Sequence, residues 1–465
     1  MTAGIHPEPL GVTVSTEALL LDEQFTGRLS YHELEVDAPG DPLLVSTRLV
    51  ESGISDTHVL YERPGAWAVA LGALAEITLT PSEAVLELVD GPRTSLRWTD
   101  SPVDRVAELL ERLAIDGWRA YGWAAFELAY AHAGMPELIP DGETLLHLVV
   151  PHTEVRIADG RATIRSTNPD LLDTIRALLV TPAPVRDYEP SPVAVEHSNA
   201  DAYRASVAAA VEDIRERRLQ KVILSRVVEV DHPVDLVGTY VVGRQRNTPA
   251  RSFLISMGGL RATGFSPEIV AEVDETGWVT TQPLAGTREL SILDADNTDL
   301  RADLLSDTKE IFEHAISVKV SWEELTELCE PGSVVVDDYM AIKERGSVQH
   351  LASSVSGQLT AGRNPWQAFI TLFPAVTASG IPKKAAYPVI QRHETHPRGL
   401  YSGAVLTVDQ SGALDAALVL RTIFQRDGKT WLRAGAGIVE QSRPERELEE
   451  TCEKLRSVAL HVVRA

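Results

Sequence analysis

Trp67-Ala-Val-Ala-Leu-Gly-Ala-Leu-Ala-Glu76-Ile-Thr-Leu-Thr80 continues through Pro-Ser-Glu-Ala84-Val-Leu-Glu-Leu-Val89-Asp-Gly91 to Trp98. Apolar and polar residues alternate in Glu76–Thr80 and Ala84–Val89, the period of strands with one buried face. Asp90-Gly91 is a turn signal between them, so the stretch predicts antiparallel strands. Downstream, Ser101-Pro102 predicts a helix start, with Val103, Val106, Leu109, Leu110 and Leu113 on one stripe. Asp159-Gly160 marks another hairpin. Pro182, Pro184, Pro190 and Pro192 exclude helix and central strand and predict a connector between two halves. Beyond it the sequence predicts a helix over 199–217 and an apolar strand, Lys221-Val-Ile-Leu-Ser-Arg226. Antiparallel hairpins in both halves, without regular βαβ alternation, predict a mixed α/β fold. The expected architecture is an antiparallel-sheet sandwich with surrounding helices, not a doubly wound parallel sheet. Residues 1–30, with Pro7 and Pro9 and no sustained period, are expected to be an extension of unknown role. Residues 31–465 are expected to form a single domain with halves 31–193 and 194–465.

The chain has 465 residues, 44% apolar and 24% charged, the composition of a soluble globular protein. Its formal charge of −24 disfavours nucleic acid and anionic membrane as partners. The same charge repels anionic substrates, so an enzyme of this kind needs local cations, from a metal ion or from individual Arg and Lys. Cys329 and Cys452 are the two cysteines, outside any CxxC spacing, which argues against a disulfide framework or a zinc site. No signal peptide and no apolar run of transmembrane length is evident, and a cytoplasmic location is expected.

Asp307-Thr-Lys-Glu310-Ile-Phe-Glu313-His314 opens a helix with an expected apolar stripe of Ile311, Ala315, Val318, Trp322 and Leu325, and Glu310 and Glu313 share a face. Ser442-Arg-Pro-Glu445 resembles a capping-box start of a second helix, with Leu448, Cys452 and Leu455 inward and Glu447, Glu450 and Lys454 on another stripe. Each Glu-x-x-Glu taken singly also suits a solvated face. Four carboxylates converging from two helices would suit a hard divalent cation, most simply magnesium. Lys221 opens a strand built for burial. It is either a desolvated general base or an edge lysine reaching for solvent. Gly264-Phe-Ser-Pro267-Glu268 puts a carboxylate in a tight turn, where a partly desolvated Glu268 could act as general acid or be a plain turn residue. Pro283-Leu-Ala-Gly286-Thr287-Arg288 and Arg433-Ala-Gly435-Ala-Gly437 are expected as glycine-containing loops, for substrate carboxylates or for packing.

KVILSR, GFSPE, PLAGTR, KEIFEHA, RGSVQHL, FPAVTASGIPK, RGLYSGAV, LRAGAGIVE and ERELEETCEKL together resemble the chorismate-utilising enzymes, strongly over 195–465 and loosely over 35–190. That family includes anthranilate, aminodeoxychorismate, isochorismate and salicylate synthases. The resemblance implies a glutamine at position 221 in ammonia-using members and lysine in water-adding ones. It also implies that the nucleophilic lysine of aminodeoxychorismate synthases is replaced here by Ala285. Water is then the nucleophile, no covalent intermediate forms, and no glutaminase subunit is needed. The C-terminal half is most similar to salicylate synthases of siderophore-producing actinobacteria, which implies chorismate and isochorismate as substrates, with an isochorismate synthase as the alternative. Carried over, Lys221 would activate water and Glu268 would protonate the departing hydroxyl. Glu313 and Glu450, with Glu310 and Glu447, would hold Mg2+. Gly286, Thr287, Gly435 and Lys454 would line the ring end, Tyr401, Arg421 and Gly437 the pyruvyl carboxylate, and His350 and Thr377 would complete the pocket. A monomer is expected. Residues 1–30 have no counterpart in the family, and Gln282 stands where close relatives often carry glutamate.

Overall fold

The stretch from Trp67 forms strands Ala66–Leu71, Ala75–Leu79, Glu83–Leu88 and Arg93–Arg97. The computed structural model describes residues 28–89, 91–181, 186–290, 294–346 and 348–465. Asp90 of the expected turn, Pro182 and Pro184 of the connector and residues 1–27 of the extension lie outside the described residues. Leu29 forms a parallel bridge with Ile115.

The four strands do not share one sheet. Ala66–Leu71 pairs with His58–Arg63 and Thr153–Ala158, whereas Ala75–Leu79 pairs with Glu83–Leu88 and Leu146–Val150 in a second sheet. The chain crosses at Gly72, where φ is +68° and a Cβ would stand 2.1 Å from the His152 ring. Only glycine fits both demands. Asp159 and Gly160, both at positive φ, join Thr153–Ala158 to Arg161–Ser166 as the two-residue hairpin the sequence predicts.

Among the described residues the two large sheets have 11 and 12 strands on their main paths, and their ladders are antiparallel, so the sandwich expectation holds. Strand alternation sorts the core into layers. Val59, Tyr61, Phe253 and Ile255 of the first sheet meet Tyr121, Trp123, Val405 and Ala417 of the second. Leu60 and Leu254, on the opposite pleat, pack with Leu43 and Leu49 of helix Pro42–Val50 and Ile175 of helix Asp170–Val180. Ala120 and Leu406 share a cluster with Val103, Val106, Leu109 and Leu110 of helix Pro102–Glu111. Strands from before and after residue 190 enter both sheets. Among the described residues, no helix is long and apolar enough to cross a membrane.

The sheets are also tied by charge. Arg251 of strand Arg251–Met257 donates to Asp415 of strand Leu414–Leu418 through Nε at 2.8 Å and Nη2 at 2.6 Å, and the Tyr61 hydroxyl donates to the same carboxylate. Removing Asp415 would leave the buried Arg251 with only the partly exposed Glu272, 3.0 Å away, as its carboxylate among the described residues. Asp415→Ala is therefore expected to cost about 3–5 kcal/mol, measured as a lower urea midpoint.

Candidate active site

Lys221 opens strand Lys221–Val230, which lies between Lys429–Ile438 and Gly380–Ile381. Its side chain is 4% exposed, which decides against a lysine reaching for solvent. The ammonium is held by Glu313 Oε1 at 2.7 Å. Glu313 comes from helix Thr308–Thr326, which starts where the Asp307 side chain accepts from the N–H groups of Lys309 and Glu310. The expected apolar stripe of this helix needs correction. Trp322 is 43% exposed and Ile311 and Ala315 are only half-buried, while His314, Ser317, Val318, Ser321 and Leu325 face inward. The inward face meets polar groups of the neighbouring strands: His314 Nε2 lies 2.7 Å from Ser353 Oγ. Val318 and Leu325 of the expected stripe are buried, but the covered face is centred on His314, Ser317 and Ser321 and not on Ile311, Ala315 and Trp322.

The second helix, Pro444–Ala459, has Arg443 at its N-cap and no side-chain cap. The expected capping box is absent because the Ser442 hydroxyl accepts from the Val439 N–H instead. Leu448, Cys452 and Leu455 are buried as expected. Lys454 binds Glu450 Oε1 at 2.7 Å and donates to the Gly435 carbonyl at 3.0 Å.

The two expected glycine loops are strands. Gly286 is the extra residue of a bulge in strand Leu284–Glu289, where Ala285 pairs with Leu351 and Thr287 with His350. Gly435 and Gly437 sit within Lys429–Ile438, opposite Ser225 and Ile223. Their smallness serves close approach. A Cβ on Gly437 would come within 3.1 Å of Lys221 Cε and 3.0 Å of Glu313 Oε1. On Gly435 it would strike the Leu224 carbonyl at 2.6 Å.

Glu268 lies in the turn that carries the chain from strand Leu260–Ser266 of one sheet to Ile269–Val273 of the other. Burial pushes its carboxyl up to about 8, against a hydrogen bond from Thr377 and the charges of Lys221 and Lys454. The Thr377 hydroxyl donates to Glu268 Oε1 at 2.5 Å. At neutral pH this carboxyl holds its proton, as a general acid requires. Arg421 Nη2 donates to His350 Nε2 at 2.7 Å, so His350 Nδ1, 3.0 Å from Thr287 Oγ1, carries the ring proton. Burial, then the Arg421 charge, holds His350 well below the usual imidazole range. It is a neutral link in a chain from Arg421 to Thr287.

One cavity collects Lys221, Glu268, Gly286, Thr287, Glu310, Glu313, His350, Thr377, Tyr401, Arg421, Gly435, Gly437, Glu450 and Lys454. Of the residues singled out in the sequence, Glu447 alone is not on its wall. Larger clefts exist elsewhere on the surface, but they do not gather these groups. The cavity also takes in Lys309, Arg433, Arg446 and Glu453, which sequence reasoning missed. Helical spacing gave a signal for three of these: Lys309 adjoins Glu310, and Arg446 and Glu453 lie one turn either side of Glu450.

Burial and the neighbouring Glu313 charge raise the Glu310 carboxyl, and burial with Glu450 raises Glu447. Glu447 Oε2 is buried with no hydrogen-bond partner. Glu313, Glu450 and Glu310 are tied to Lys221, Lys454 and Arg288 respectively. As they stand, no three acidic, His or Cys side chains gather into a ligand set among the described residues. The donor chemistry nonetheless fits a hard cation: these are oxygen ligands, mutually repelling, one of them unsatisfied.

Residues 56–460 match the family described as chorismate binding enzyme. The chain belongs to the chorismate binding enzyme family. It is 44% identical over 409 residues to a salicylate synthase of Mycolicibacterium paratuberculosis, covering 88% of this chain and 90% of that one. Among solved structures of the family fold, anthranilate synthase component I from Streptococcus pneumoniae superposes with a TM-score of 0.72 at 24% identity, covering 86% and 92% of the two chains. The menaquinone-specific isochorismate synthase of Escherichia coli gives 0.70 at 21% identity, covering 93% and 95%. These two likenesses establish the fold of this chorismate binding enzyme.

If protonated Glu268 is the acid, kcat/KM should fall as pH rises through about 8. Because the Thr377 hydrogen bond lowers that value, Thr377→Val should move the alkaline limb to higher pH. A pH–rate profile of both proteins reads the shift.

Proposed function

We propose that the chain is a salicylate synthase, converting chorismate to isochorismate by water addition and then to salicylate and pyruvate by elimination. The observation that carries this is the meeting of buried Lys221 and buried Glu268 in one cavity, with Ala285 on the same wall. A base and an acid are present, and the covalent lysine alternative is not. The 44% identity to a salicylate synthase across 88% of the chain supports the same reading.

Lys221, as the neutral amine left once its ammonium proton has passed to Glu313, takes a proton from water as the oxygen bonds to ring C2. The ring double bonds shift, the C4–O bond breaks, and Glu268 gives its proton to the departing hydroxyl, which leaves as water. In the second step the C2 hydrogen passes to the enolpyruvyl methylene carbon while the C3–O bond breaks, so pyruvate departs and the ring becomes aromatic. That step needs no further acid or base, only a folded side chain. Tyr401 and Arg421 would fold it by holding the pyruvyl carboxylate, for which a guanidinium fork is suited.

Glu313 and Glu450, with Glu310 and Glu447, would hold magnesium. The ion would supply a positive charge for the ring carboxylate in a strongly acidic protein. The proposed enzyme works as a single cytoplasmic chain, without a glutaminase subunit.

Chorismate and magnesium, without glutamine or ammonia, should yield salicylate and pyruvate in equal amounts, with isochorismate only transient on time-resolved chromatography. Isochorismate accumulating to equilibrium, with no salicylate above the uncatalysed control, would leave an isochorismate synthase instead. Chelation should abolish turnover and magnesium restore it, and Glu450→Gln should cost far more than Glu445→Gln. Lys221→Ala should stop conversion of chorismate; a near-parental rate would refute the base.

A further inference from the structure

Behind the Tyr401 wall lie one carboxylate and two guanidiniums sealed from water. Glu394 ends helix Lys383–His393, and its side chain and that of Arg433 are each 3% exposed. The Arg398 side chain is 1% exposed. Glu394 Oε1 accepts from Arg398 Nη2 at 2.7 Å and Oε2 from Arg433 Nη2 at 2.6 Å. Ser225 joins the group, donating to Glu394 from N at 2.7 Å and Oγ at 2.8 Å, while that Oγ accepts from Arg433 Nε at 2.8 Å.

The remaining N–H groups reach the cavity walls. Arg398 donates to the carbonyl of Ala378, beside Thr377, and to that of Ile223, two residues from Lys221, each at 2.8 Å. Arg433 donates to the Pro397 carbonyl at 2.5 Å, at the start of the segment leading to Tyr401. Both guanidiniums also lie near the Tyr401 ring, 5.4 Å from its centroid for Arg433 and 5.9 Å for Arg398. The Tyr401 hydroxyl makes no protein hydrogen bond among the described residues, and the residue lines the cavity. Nearby cations draw charge from a phenol ring and strengthen its hydroxyl as a donor.

Stability alone does not account for this group, because buried ion clusters can often be replaced by apolar residues at no loss. We propose that Glu394, Arg398 and Arg433 are a positioning set that fixes the Tyr401 hydroxyl against the Lys221 strand for recognition of a substrate carboxylate. The inference rests on the chorismate reading above, with Tyr401 as the group that touches substrate.

The test is a double-mutant cycle on Tyr401→Phe and Arg433→Lys, which keeps the charge but loses the fork. It is read as KM and kcat for chorismate, and as chorismate affinity by calorimetry, which needs no turnover. Each single change should raise KM and Kd about tenfold, the scale of one charge-assisted hydrogen bond, with a smaller fall in kcat. The double variant should be within about twofold of the worse single one, since both remove the same contact. Losses that multiply, or an unchanged Kd in a folded Arg433→Lys protein, would overturn the proposal. If circular dichroism shows that Arg433→Lys does not fold, Ser225→Ala carries the same cycle with the same expected outcome. A parental protein that neither binds nor converts chorismate defeats the functional reading itself. One that does both, but whose losses multiply, defeats only the positioning set.

Discussion

The ion pair between Lys221 and Glu313, 2.7 Å long at the cavity floor, is the contact around which the site is arranged. It joins the two kinds of element that build the molecule, a central strand and a covering helix. Burying an ammonium without a partner is costly, so the strand can carry Lys221 only where a carboxylate meets it. The backbone on either side is constrained in turn. Gly437 leaves room for the pair, and Gly380, at φ +152°, lets its strand approach to where a Cβ would stand 2.4 Å from the Lys221 carbonyl. Two glycines far apart in sequence thus answer to one residue, Gly437 to its side chain and Gly380 to its backbone.

The electrostatics of the cavity follow from a chain that is acidic overall. Carboxylates from two helices are met by Lys221, Lys454 and Arg288, and Arg421 adds a further cation to the cavity lining. Glu268 differs from the others. Burial outweighs its hydrogen bond and its neighbours, so it keeps a proton that the paired Glu450 gives up. Burial pushes both carboxyls up, but at Glu450 the directly bonded Lys454 and neighbouring cations outweigh it, so the two glutamates shift in opposite directions.

Much of this was legible in the sequence. The ordered motifs named the family, and the residues they carried converge on one cavity, Glu447 excepted. Period-two patterning located strands such as Ala75–Leu79 but could not tell that Ala66–Leu71 belongs to a different sheet. Pairing partners are chosen by tertiary contact, not by the local pattern. Trp322 read as core by spacing, yet the covered face of its helix carries Ser317, Ser321 and His314, which bonds to Ser353 of the neighbouring strand. Glycines in sequence suggested loops, whereas in the fold they let strands and side chains approach. The group around Glu394 gave no signal, since Ser225, Arg398 and Arg433 reach it from separate segments.

The interleaving of the two halves bears on how such a chain is made. Strand Arg119–Ala124, with Tyr121 and Trp123 on its sheet-facing side, takes Ala404–Asp409 as a neighbour, and His58–Arg63 takes Arg251–Met257. During synthesis on the ribosome the earlier strands emerge long before these partners do. Each nascent sheet therefore has an open edge backed by aromatic surface for a long part of translation, a template for pairing with the wrong chain. Contacts so distant in sequence also make for slow closure. Overproduction in a foreign host would favour cooler growth and ample chaperone, because the vulnerable species is the unfinished polypeptide and not the completed sandwich.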